Sequence, residues 1–281
     1  MISTTAKADV KAQVRAWKRA GESIGLVPTM GYLHEGHRSL IERAAAECDH
    51  VVVSVFVNPT QFAPGEDLQS YPRDIEADSA LCEDAGAALL FHPAPEEMYA
   101  PDFCTFVDMD AVSKGLCGAS RPTHFRGVCT VVSKLMHIAQ PDRAYFGQKD
   151  AQQLAVIRRM VRDLDMNVDV VGCPIVREQD GLAKSSRNTY LSAEEREAAL
   201  VLSRAVAQGR QLVEAGETCA ARVIEAMRAT IEAQPLARID YVEAVSWDAI
   251  EPVESLDGSV LVALAVYIGS TRLIDNFIIE R

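Results

Sequence analysis

One stretch decides how this chain folds: Val27-Pro28-Thr29-Met30-Gly31-Tyr32-Leu33-His34-Glu35-Gly36-His37. It follows the apolar run 24–27 and precedes apolar residues at helical spacing, which predicts a strand, a glycine-containing loop and then a helix over about 34–47. On the first turn of that helix, the spacing of His34 and His37 puts both imidazole rings on one face. The rings then lie beside free backbone N–H groups and the positive end of the helix dipole, a setting that suits the phosphates of a nucleotide.

An H-x-x-H pair has other interpretations. Two histidines near a helix start are often part of a polar surface turn, and for an isolated pair this is the commoner case. A zinc pair is a second alternative, although helical metal pairs usually lie at i, i+4 and no third ligand is evident. The phosphate interpretation is favoured because further polar groups of the same kind follow later in the chain.

The composition is typical of a globular protein with a sizeable core. The 281 residues are enough for two modest domains or one large one, and 48% of them are hydrophobic. The formal net charge of −12 disfavours a nucleic-acid binder, because nucleic acids are held by a positive field. A small polyanion remains compatible with this charge if a few cations gather locally.

The sequence also bears on localisation. Residues 1–10 are polar and lack the apolar stretch of a signal peptide, and no apolar run is long enough to span a bilayer. The seven cysteines are scattered without a C-x-x-C pair, which favours reduced thiols. We therefore expect a cytoplasmic protein with neither a membrane nor a nucleic acid as partner.

Strands alternate with helices in the first part of the chain. The run His50 to Val57 is almost continuously apolar, as in a parallel strand buried on both faces. Further strands are expected at 88–92, 105–107, 144–146 and 168–171, and further helices at 8–20, 74–84, 125–138 and 151–164. This order predicts an α/β fold: a Rossmann-like parallel sheet with helices on both faces, in which ligands bind beyond the carboxyl ends of the strands.

The pattern changes near Pro174. Residues 177–188 are polar, and Ser192–Glu195 indicates a capping box that opens a long helix. A second helix and three strands are expected at 218–233, 239–245, 260–267 and 273–279. We therefore predict a nucleotide-binding domain over 1–175 and a smaller, lid-like α+β domain over 176–281.

Two later loops carry the groups that a triphosphate site needs. Residues 184–188, Lys-Ser-Ser-Arg-Asn, gather two cations and two hydroxyls. Residues 147–150, Gly-Gln-Lys-Asp, combine a glycine for close approach, a cation for phosphate and a carboxylate for ribose hydroxyls. Alone, either motif is better explained as a solvated surface loop, and their weight comes from occurring together.

The ordered motifs resemble the pantoate–β-alanine ligase family of the class I synthetase and nucleotidyltransferase superfamily. Besides the opening stretch they are Phe56–Phe62, Tyr71–Arg73, Pro122–Val128, Tyr145–Gln153, Ser185–Asn188 and Thr271–Asn276. The resemblance covers almost the whole chain. It implies an AMP-forming ligase that condenses (R)-pantoate with β-alanine through a pantoyl adenylate, releasing diphosphate. It also implies ATP as co-substrate, accompanying Mg²⁺, and a homodimer.

The resemblance assigns residues as well. It carries ATP binding to Met30, Gly31, Tyr32, Leu33, His34, Glu35, Gly36, His37, Gly147, Gln148, Lys149, Asp150, Val176, Lys184, Ser185, Ser186 and Arg187. It carries pantoate to Gln61 and Gln153, with Gln61 also near β-alanine, and makes His37 the catalytic histidine. Because phosphoryl transfer asks for charge stabilisation, we add His34, Lys149 and Arg187 as catalytic.

Three points stay open at this stage. Lys184 stands at a position beside the adenine where the family usually has Met. Either the apolar stem of the lysine covers the base, or its ammonium group contacts a phosphate. Asp78 is either an outer-shell group for Mg²⁺, whose protein ligands are unknown, or part of a solvated helix face. The loop 63–69 either closes over the adenylate or is a plain surface loop.

Three other functions compete with the ligase. A nucleotidyltransferase of the same superfamily would transfer the adenylyl group to a phosphate acceptor and form no amide. An aminoacyl-tRNA synthetase is disfavoured by the length of the chain and its acidic balance. A catalytically inert nucleotide sensor would bind ATP without forming any product.

Overall fold

The computed structural model describes residues 1–280, and these form two compact units. The first comprises 1–109, 121–148 and 156–174, and the second comprises 110–120, 149–155 and the chain from residue 175 onward. Two interior segments therefore group with the C-terminal part of the chain. The division into domains 1–175 and 176–281 remains a prediction.

A six-stranded parallel sheet forms the centre of the first unit. Its strands are β1 (Ile2–Thr4), β2 (Ile24–Thr29), β3 (His50–Val55), β4 (Leu89–Phe91), β5 (Arg143–Gly147) and β6 (Asp169–Cys173). They lie in the order β1-β4-β3-β2-β5-β6, and every neighbouring pair is parallel. Residues 51–54 of β3 are fully buried, as the valine-rich run predicts.

Ten α-helices accompany the strands in residues 1–280. They are α1 (Lys7–Ala20), α2 (Glu35–Glu47), α3 (Ile75–Asp84), α4 (Pro95–Met98), α5 (Cys117–Ser120), α6 (His124–Ala139), α7 (Ala151–Asp163), α8 (Ala193–Ala198), α9 (Leu200–Glu214) and α10 (Ala220–Glu232). Leu40 and Ile41 of α2 join Val27 of β2 and Val53 of β3 in one buried cluster. The helix that begins at the histidine pair is therefore fixed to the two central strands.

The second unit contains an antiparallel sheet of three strands. These are β7 (Ala237–Ser246), β8 (Val260–Ile268) and β9 (Thr271–Ile279), in that order. The helices α9 and α10 pack on it through one apolar core that includes Val206, Met227 and Leu264. A Cβ at Gly209 would lie 2.6 Å from Met227 Sδ, so the glycine lets the two helices approach closely. The expected fold class is thus confirmed for both parts of the chain.

Most elements lie within a few residues of their expected bounds, and three differences have physical causes. No strand forms at 105–107, because the N–H of Val107 donates to Thr130 Oγ1 at 3.1 Å instead of to a neighbouring strand. The helix after the Ser192 capping box divides into α8 and α9 at Ala199. Strand β1 was not expected, because its exposed side chains carry no hydrophobic pattern.

The cysteines and the lengths of the helices complete the description of the fold. All seven cysteines are free thiols. Burial raises the pKa of Cys82 and of Cys129 to about 12, so neither is a reactive thiolate at neutral pH. Within residues 1–280, the helices are all too short or too polar to cross a membrane.

Candidate active site

The histidine pair forms the start of α2. His34 is the N-cap: its Nδ1 accepts the N–H of Gly36 at 3.1 Å, while His37 Nδ1 accepts the N–H of His34 at 3.3 Å. This is a capping box built from two imidazoles. The ring centroids are 4.2 Å apart, which confirms that the spacing brings both rings to one face.

These hydrogen bonds fix the tautomer of the neutral rings. A ring nitrogen that accepts a backbone N–H carries no proton, so in both His34 and His37 the proton lies on Nε2. The expectation of free N–H groups in the first turn was wrong for three residues. The N–H groups of His34 and Gly36 are taken by the imidazoles, and that of His37 is taken by the carbonyl of His34 at 2.8 Å. The groups that would donate hydrogen bonds to an anion here are therefore the imidazole Nε2–H groups.

The turn before the histidine pair is tied to α3 by a buried carboxylate. Asp78 is 2% exposed; its Oδ2 accepts the N–H of Tyr32 at 2.8 Å and its Oδ1 accepts that of Leu33 at 2.6 Å. Gly31 and Tyr32 have φ values of +90° and +53°. A Cβ at Gly31 would lie 2.9 Å from Val55 Cγ1, so both the backbone conformation and the space require glycine there. The explanation of Asp78 as part of a solvated helix face was wrong.

Gln61 adjoins the same loop. It ends a short 3₁₀ turn, Pro59–Gln61, and is 7% exposed. Its Nε2 donates to Met30 Sδ at 2.9 Å, and its Oε1 accepts from Asn58 Nδ2 at 3.1 Å. The structure therefore brings together Gln61 and Met30, two residues that the motifs assign to different ligands.

The motif Pro122–Val128 holds this turn from the other side. His124 Nδ1 donates to the carbonyl of Gln61 at 2.9 Å. A Cβ at Gly127 would lie 2.6 Å from both N and Cα of Gln61, so α6 approaches the turn through a glycine. The backbone of Gln61 is thus fixed by the helix that packs against it.

An ion pair that the motifs did not single out ties the loop 63–69. Arg121 donates from Nε and from a terminal nitrogen to the two carboxylate oxygens of Glu66, at 2.7 and 2.6 Å. Burial alone would raise the pKa of Glu66, but the bonds from Arg121 outweigh it and lower that pKa. The sequence did not indicate this role of Arg121, because its partner Glu66 lies 55 residues away along the chain.

In the second unit, Lys149 and the loop 175–188 are brought together. The N–H of Lys184 donates to the carbonyl of Val176 at 2.9 Å, so these two residues are neighbours. This backbone contact does not decide whether the lysine side chain covers the adenine or contacts a phosphate. Ser185 Oγ caps the short turn Ser186–Tyr190 by accepting the N–H of Arg187 at 3.3 Å. Lys149 and Ser185 line one small cavity, so polar groups of two separate motifs adjoin each other.

Strand β9 holds both segments and explains the motif Thr271–Asn276. Arg177 donates to both oxygens of Asp275, at 2.7 and 2.9 Å, and Asp275 is only 1% exposed. The next side chain, Asn276, donates from Nδ2 to the carbonyl of Lys149 at 2.9 Å. Adjacent residues of one strand thus anchor the Lys149 turn and the loop that carries Lys184.

Neighbouring glutamines of α7 have different environments. Gln152 is 6% exposed and makes three hydrogen bonds, donating to the carbonyls of Val112 and Gly115 and accepting the N–H of Cys117. Gln153 is half-buried. Gln152 therefore serves the packing of the second unit, and Gln153 is the one with surface left for a ligand.

The assigned residues divide between the two units. The first holds Met30, Gly31, Tyr32, Leu33, His34, Glu35, Gly36, His37, Gln61, Gly147 and Gln148, and the second holds Lys149, Asp150, Gln153, Val176, Lys184, Ser185, Ser186 and Arg187. That the two sets grip one triphosphate stays a prediction. Nowhere in residues 1–280 do three or more His, Cys, Asp or Glu side chains gather as they would around a metal ion.

Comparison with known proteins agrees with the motifs. The sequence model of the family described as pantoate-beta-alanine ligase matches residues 2–278. A pantothenate synthetase of Clostridium novyi (strain NT) is 60% identical over 272 residues, which cover 97% of this chain and 96% of that protein. That of Pelotomaculum thermopropionicum is 53% identical over the full length of both proteins.

Solved structures give the same result. The crystal structure of pantothenate synthetase from Thermus thermophilus superposes with a TM-score of 0.94 at 47% identity, covering 99% of each chain. Pantoate-beta-alanine ligase from Francisella tularensis, complexed with beta-gamma ATP and beta-alanine, has a TM-score of 0.80 at 32% identity, covering 99% of this chain and 97% of that one. The chain therefore belongs to the pantoate–β-alanine ligase family.

Proposed function

We propose that this chain condenses (R)-pantoate with β-alanine using ATP, giving pantothenate, AMP and diphosphate through a pantoyl-adenylate intermediate. Family membership supports the reaction, as does the Francisella tularensis relative with its beta-gamma ATP and beta-alanine. The observation that carries the chemistry is the pair of imidazoles at the start of α2. Backbone N–H groups occupy both Nδ1 atoms, which makes both Nε2–H groups donors suited to phosphate oxygens.

In the first step, a carboxylate oxygen of pantoate attacks the α-phosphorus of ATP. The bond from that phosphorus to the bridging oxygen breaks, and diphosphate leaves with the electron pair. His34 and His37 donate to the phosphate oxygens, with His37 nearest the α-phosphate. Lys149 and Arg187 supply positive charge where negative charge collects, and the reaction otherwise needs in-line positioning.

In the second step, the free amine of β-alanine attacks the acyl carbon of the adenylate. The C–N bond forms, the bond from carbon to the phosphate oxygen breaks, AMP leaves, and the amine proton passes to solvent. The amides of Gln61 and Gln153 bind pantoate, because an amide both donates and accepts without adding charge. The fixed turn at Gln61 supports this role, since a positioned donor loses little entropy on binding.

The adenosine is assigned to residues from both units. Met30 and Val176 supply apolar contacts, Asp150 accepts from the ribose, and the stem of Lys184 covers the base. The methionine that the family usually has at this position, beside the adenine, supports this choice over a phosphate contact. A Cβ at Gly147 would meet nothing within 4 Å, so packing does not require that glycine, and approach of the nucleotide is our explanation for it.

Mg²⁺ is proposed only as a companion of ATP. Since residues 1–280 offer no cluster of protein ligands, phosphate oxygens and water would hold it, and no step is assigned to it. The resemblance further supports a cytoplasmic homodimer with domains 1–175 and 176–281. Analytical ultracentrifugation tests the dimer, and a monomer at micromolar concentration would contradict it.

Exchange of labelled diphosphate into ATP, with pantoate present and β-alanine absent, tests the adenylate. The ligase exchanges label only when pantoate is added, and it forms pantothenate when β-alanine follows. Folded protein that binds ATP yet shows no exchange would overturn the proposed intermediate. Transfer of AMP to a phosphate acceptor would indicate a nucleotidyltransferase instead, and binding without any product would indicate a sensor.

A further inference from the structure

Four consecutive backbone N–H groups, those of residues 31–34, are bound by side chains of the first unit. Thr29 Oγ1 takes the first at 3.2 Å, Asp78 takes the second and third at 2.8 and 2.6 Å, and His37 Nδ1 takes the fourth at 3.3 Å. In glycine-rich phosphate loops, by contrast, the backbone N–H groups cradle the ligand. Here the loop directs those donors to the protein, so that its conformation is fixed by side chains.

Asp78 is the acceptor that holds two of the four. Burial raises the pKa of this carboxyl, the bonds from Leu33 and Tyr32 lower it, and the charge of Asp74 on the same helix raises it again. A carboxylate is an acceptor only, with two oxygens in a fork. Asparagine at this position would keep one acceptor and set its own NH₂ group against the other backbone N–H.

We propose that Asp78 is a positioning residue for ATP. Its carboxylate fixes the left-handed turn at Gly31 and Tyr32, and through the turn it sets where Met30 and the imidazole of His34 stand before the nucleotide arrives. It touches no reacting atom. The inference depends on the proposed function only in taking the loop as the ATP-binding loop.

Asp78 pre-organises the turn at Gly31 and Tyr32. The turn contains two successive residues at positive φ, and only the first is a glycine. A non-glycine residue in that region is disfavoured unless its surroundings hold it there. The N–H groups of Tyr32 and Leu33, which belong to the peptide groups on either side of Tyr32, both donate to Asp78, and so these bonds hold that residue. Released from them, the turn relaxes, and the binding of ATP must then reorder it.

The test compares Asp78→Asn with the wild type by calorimetric titration with ATP alone. We expect the Kd for ATP to rise about 10- to 100-fold, as for a turn whose binding-competent conformation falls to about 10% to 1% of the population. In the exchange assay, the KM for ATP should rise more than the KM for pantoate. The Nε2–H signals of ¹⁵N-labelled histidine should also shift in the absence of ligand, since the ring of His34 moves.

Asp74→Ala is the matched control. Asp74 caps the same helix by accepting the N–H of Ala77 at 3.0 Å, whereas the turn is held by Asp78. This variant should lower Tm while the Kd for ATP stays within about twofold of the wild type. Equal loss of ATP affinity in both variants at equal loss of Tm would reduce Asp78 to a structural residue. Wild-type affinity in Asp78→Asn would overturn the proposal outright.

Hydrogen exchange on the wild-type protein keeps the inference testable if Asp78→Asn fails to fold. The amides of Tyr32 and Leu33 should be protected without ATP to the same degree as those of β3, and ATP should add little. Amides that exchange freely and become protected only with ATP would mean that the nucleotide orders the turn. A wild type that does not bind ATP would contradict the proposed function, whereas a wild type that binds ATP with an unprotected turn would contradict only this inference.

Discussion

Replacing Gly127 by alanine should damage pantoate binding more than ATP binding. The added Cβ would lie 2.4 Å from the carbonyl oxygen of Thr60 and 2.6 Å from N and Cα of Gln61, and ordinary van der Waals contact begins at 3.4 Å. The turn at Gln61 must therefore move by about 1.0 Å (3.4 − 2.4), because the opposing atoms are backbone and no side chain can rotate away. Overpacking of this kind costs about 1–3 kcal/mol of unfolding free energy. A shift close to 1 Å at a substrate-positioning amide can lower the rate by about 10²-fold.

The assay is diphosphate exchange at varied pantoate and fixed, saturating ATP, followed by the same experiment with the roles reversed. Gly127→Ala should raise the KM for pantoate and lower the maximal exchange rate. The dissociation constant for ATP, measured by titration, should change much less, since the histidine pair keeps its own capping box. The pattern separates a displaced pantoate site from a general loss of structure.

Gly209→Ala provides the matched control. This glycine also lies inside a helix, and its added Cβ would lie 2.6 Å from Met227 Sδ and 3.1 Å from the ring of Phe277, both buried in the second unit. Overpacking there should lower stability by about 1–3 kcal/mol, as in Gly127→Ala, but with wild-type kinetics, because neither neighbour belongs to the turn at Gln61. Wild-type saturation by pantoate in Gly127→Ala, with Tm lowered as expected, would refute the link between this helix and substrate positioning.

Four further outcomes are expected. His37→Asn keeps an acceptor for the N–H of His34 but loses the Nε2–H donor, so exchange should fall on the order of 10²–10³-fold with Tm near that of the wild type; a loss under about tenfold would remove His37 from the chemistry. Arg177→Met leaves the buried Asp275 without its cation and should lower the free energy of unfolding, measured in urea, by about 3–5 kcal/mol. A loss below about 1 kcal/mol would contradict this role of the ion pair. Folding lowers the pKa of Glu66, so the ionised carboxylate stabilises the protein at neutral pH, and this stabilisation is lost as the pH falls below the ordinary pKa of 4.5. The difference in unfolding free energy between the wild type and Glu66→Gln should therefore shrink between about pH 7 and pH 3.5. A difference that stays constant over this range would contradict the ion pair. Lys184→Met should leave the Kd for ATP within about twofold at low salt, whereas a marked loss would assign the ammonium to a phosphate.

Periodicity was sufficient to predict the elements whose burial is regular. The helices expected at 8–20 and 74–84 form, with Val10, Val14 and Trp17 buried at helical spacing in α1 and Asp74 capping α3. Local rules work at these places because the packing and the capping both follow from the sequence of one element. They fail at β1, which is held to β4 by backbone hydrogen bonds and has exposed side chains.

The candidate site shows the same limit more sharply. Motifs predicted the residues that face a ligand, but the groups that hold them come from distant positions. Asp78 looks like any polar residue on a helix until the fold buries it against the turn 31–33, 45 residues away. The bond from Asn276 to Lys149 joins positions 127 apart. Such supporting contacts have no local sequence signature, because the chemistry of each partner is ordinary and only its placement is unusual.

The two anchoring side chains of β9 also bear on when the protein becomes active. Synthesis proceeds from the N-terminus, so the histidine pair and its sheet are made long before Asp275 and Asn276 leave the ribosome. Until then, Lys149 and the loop at Arg177 lack the strand that holds them in place. A nascent chain arrested before Thr271 would therefore contain every assigned nucleotide contact in its sequence while lacking the two side chains that anchor Lys149 and Arg177, so this part of the site takes its final form only after β9 is synthesised.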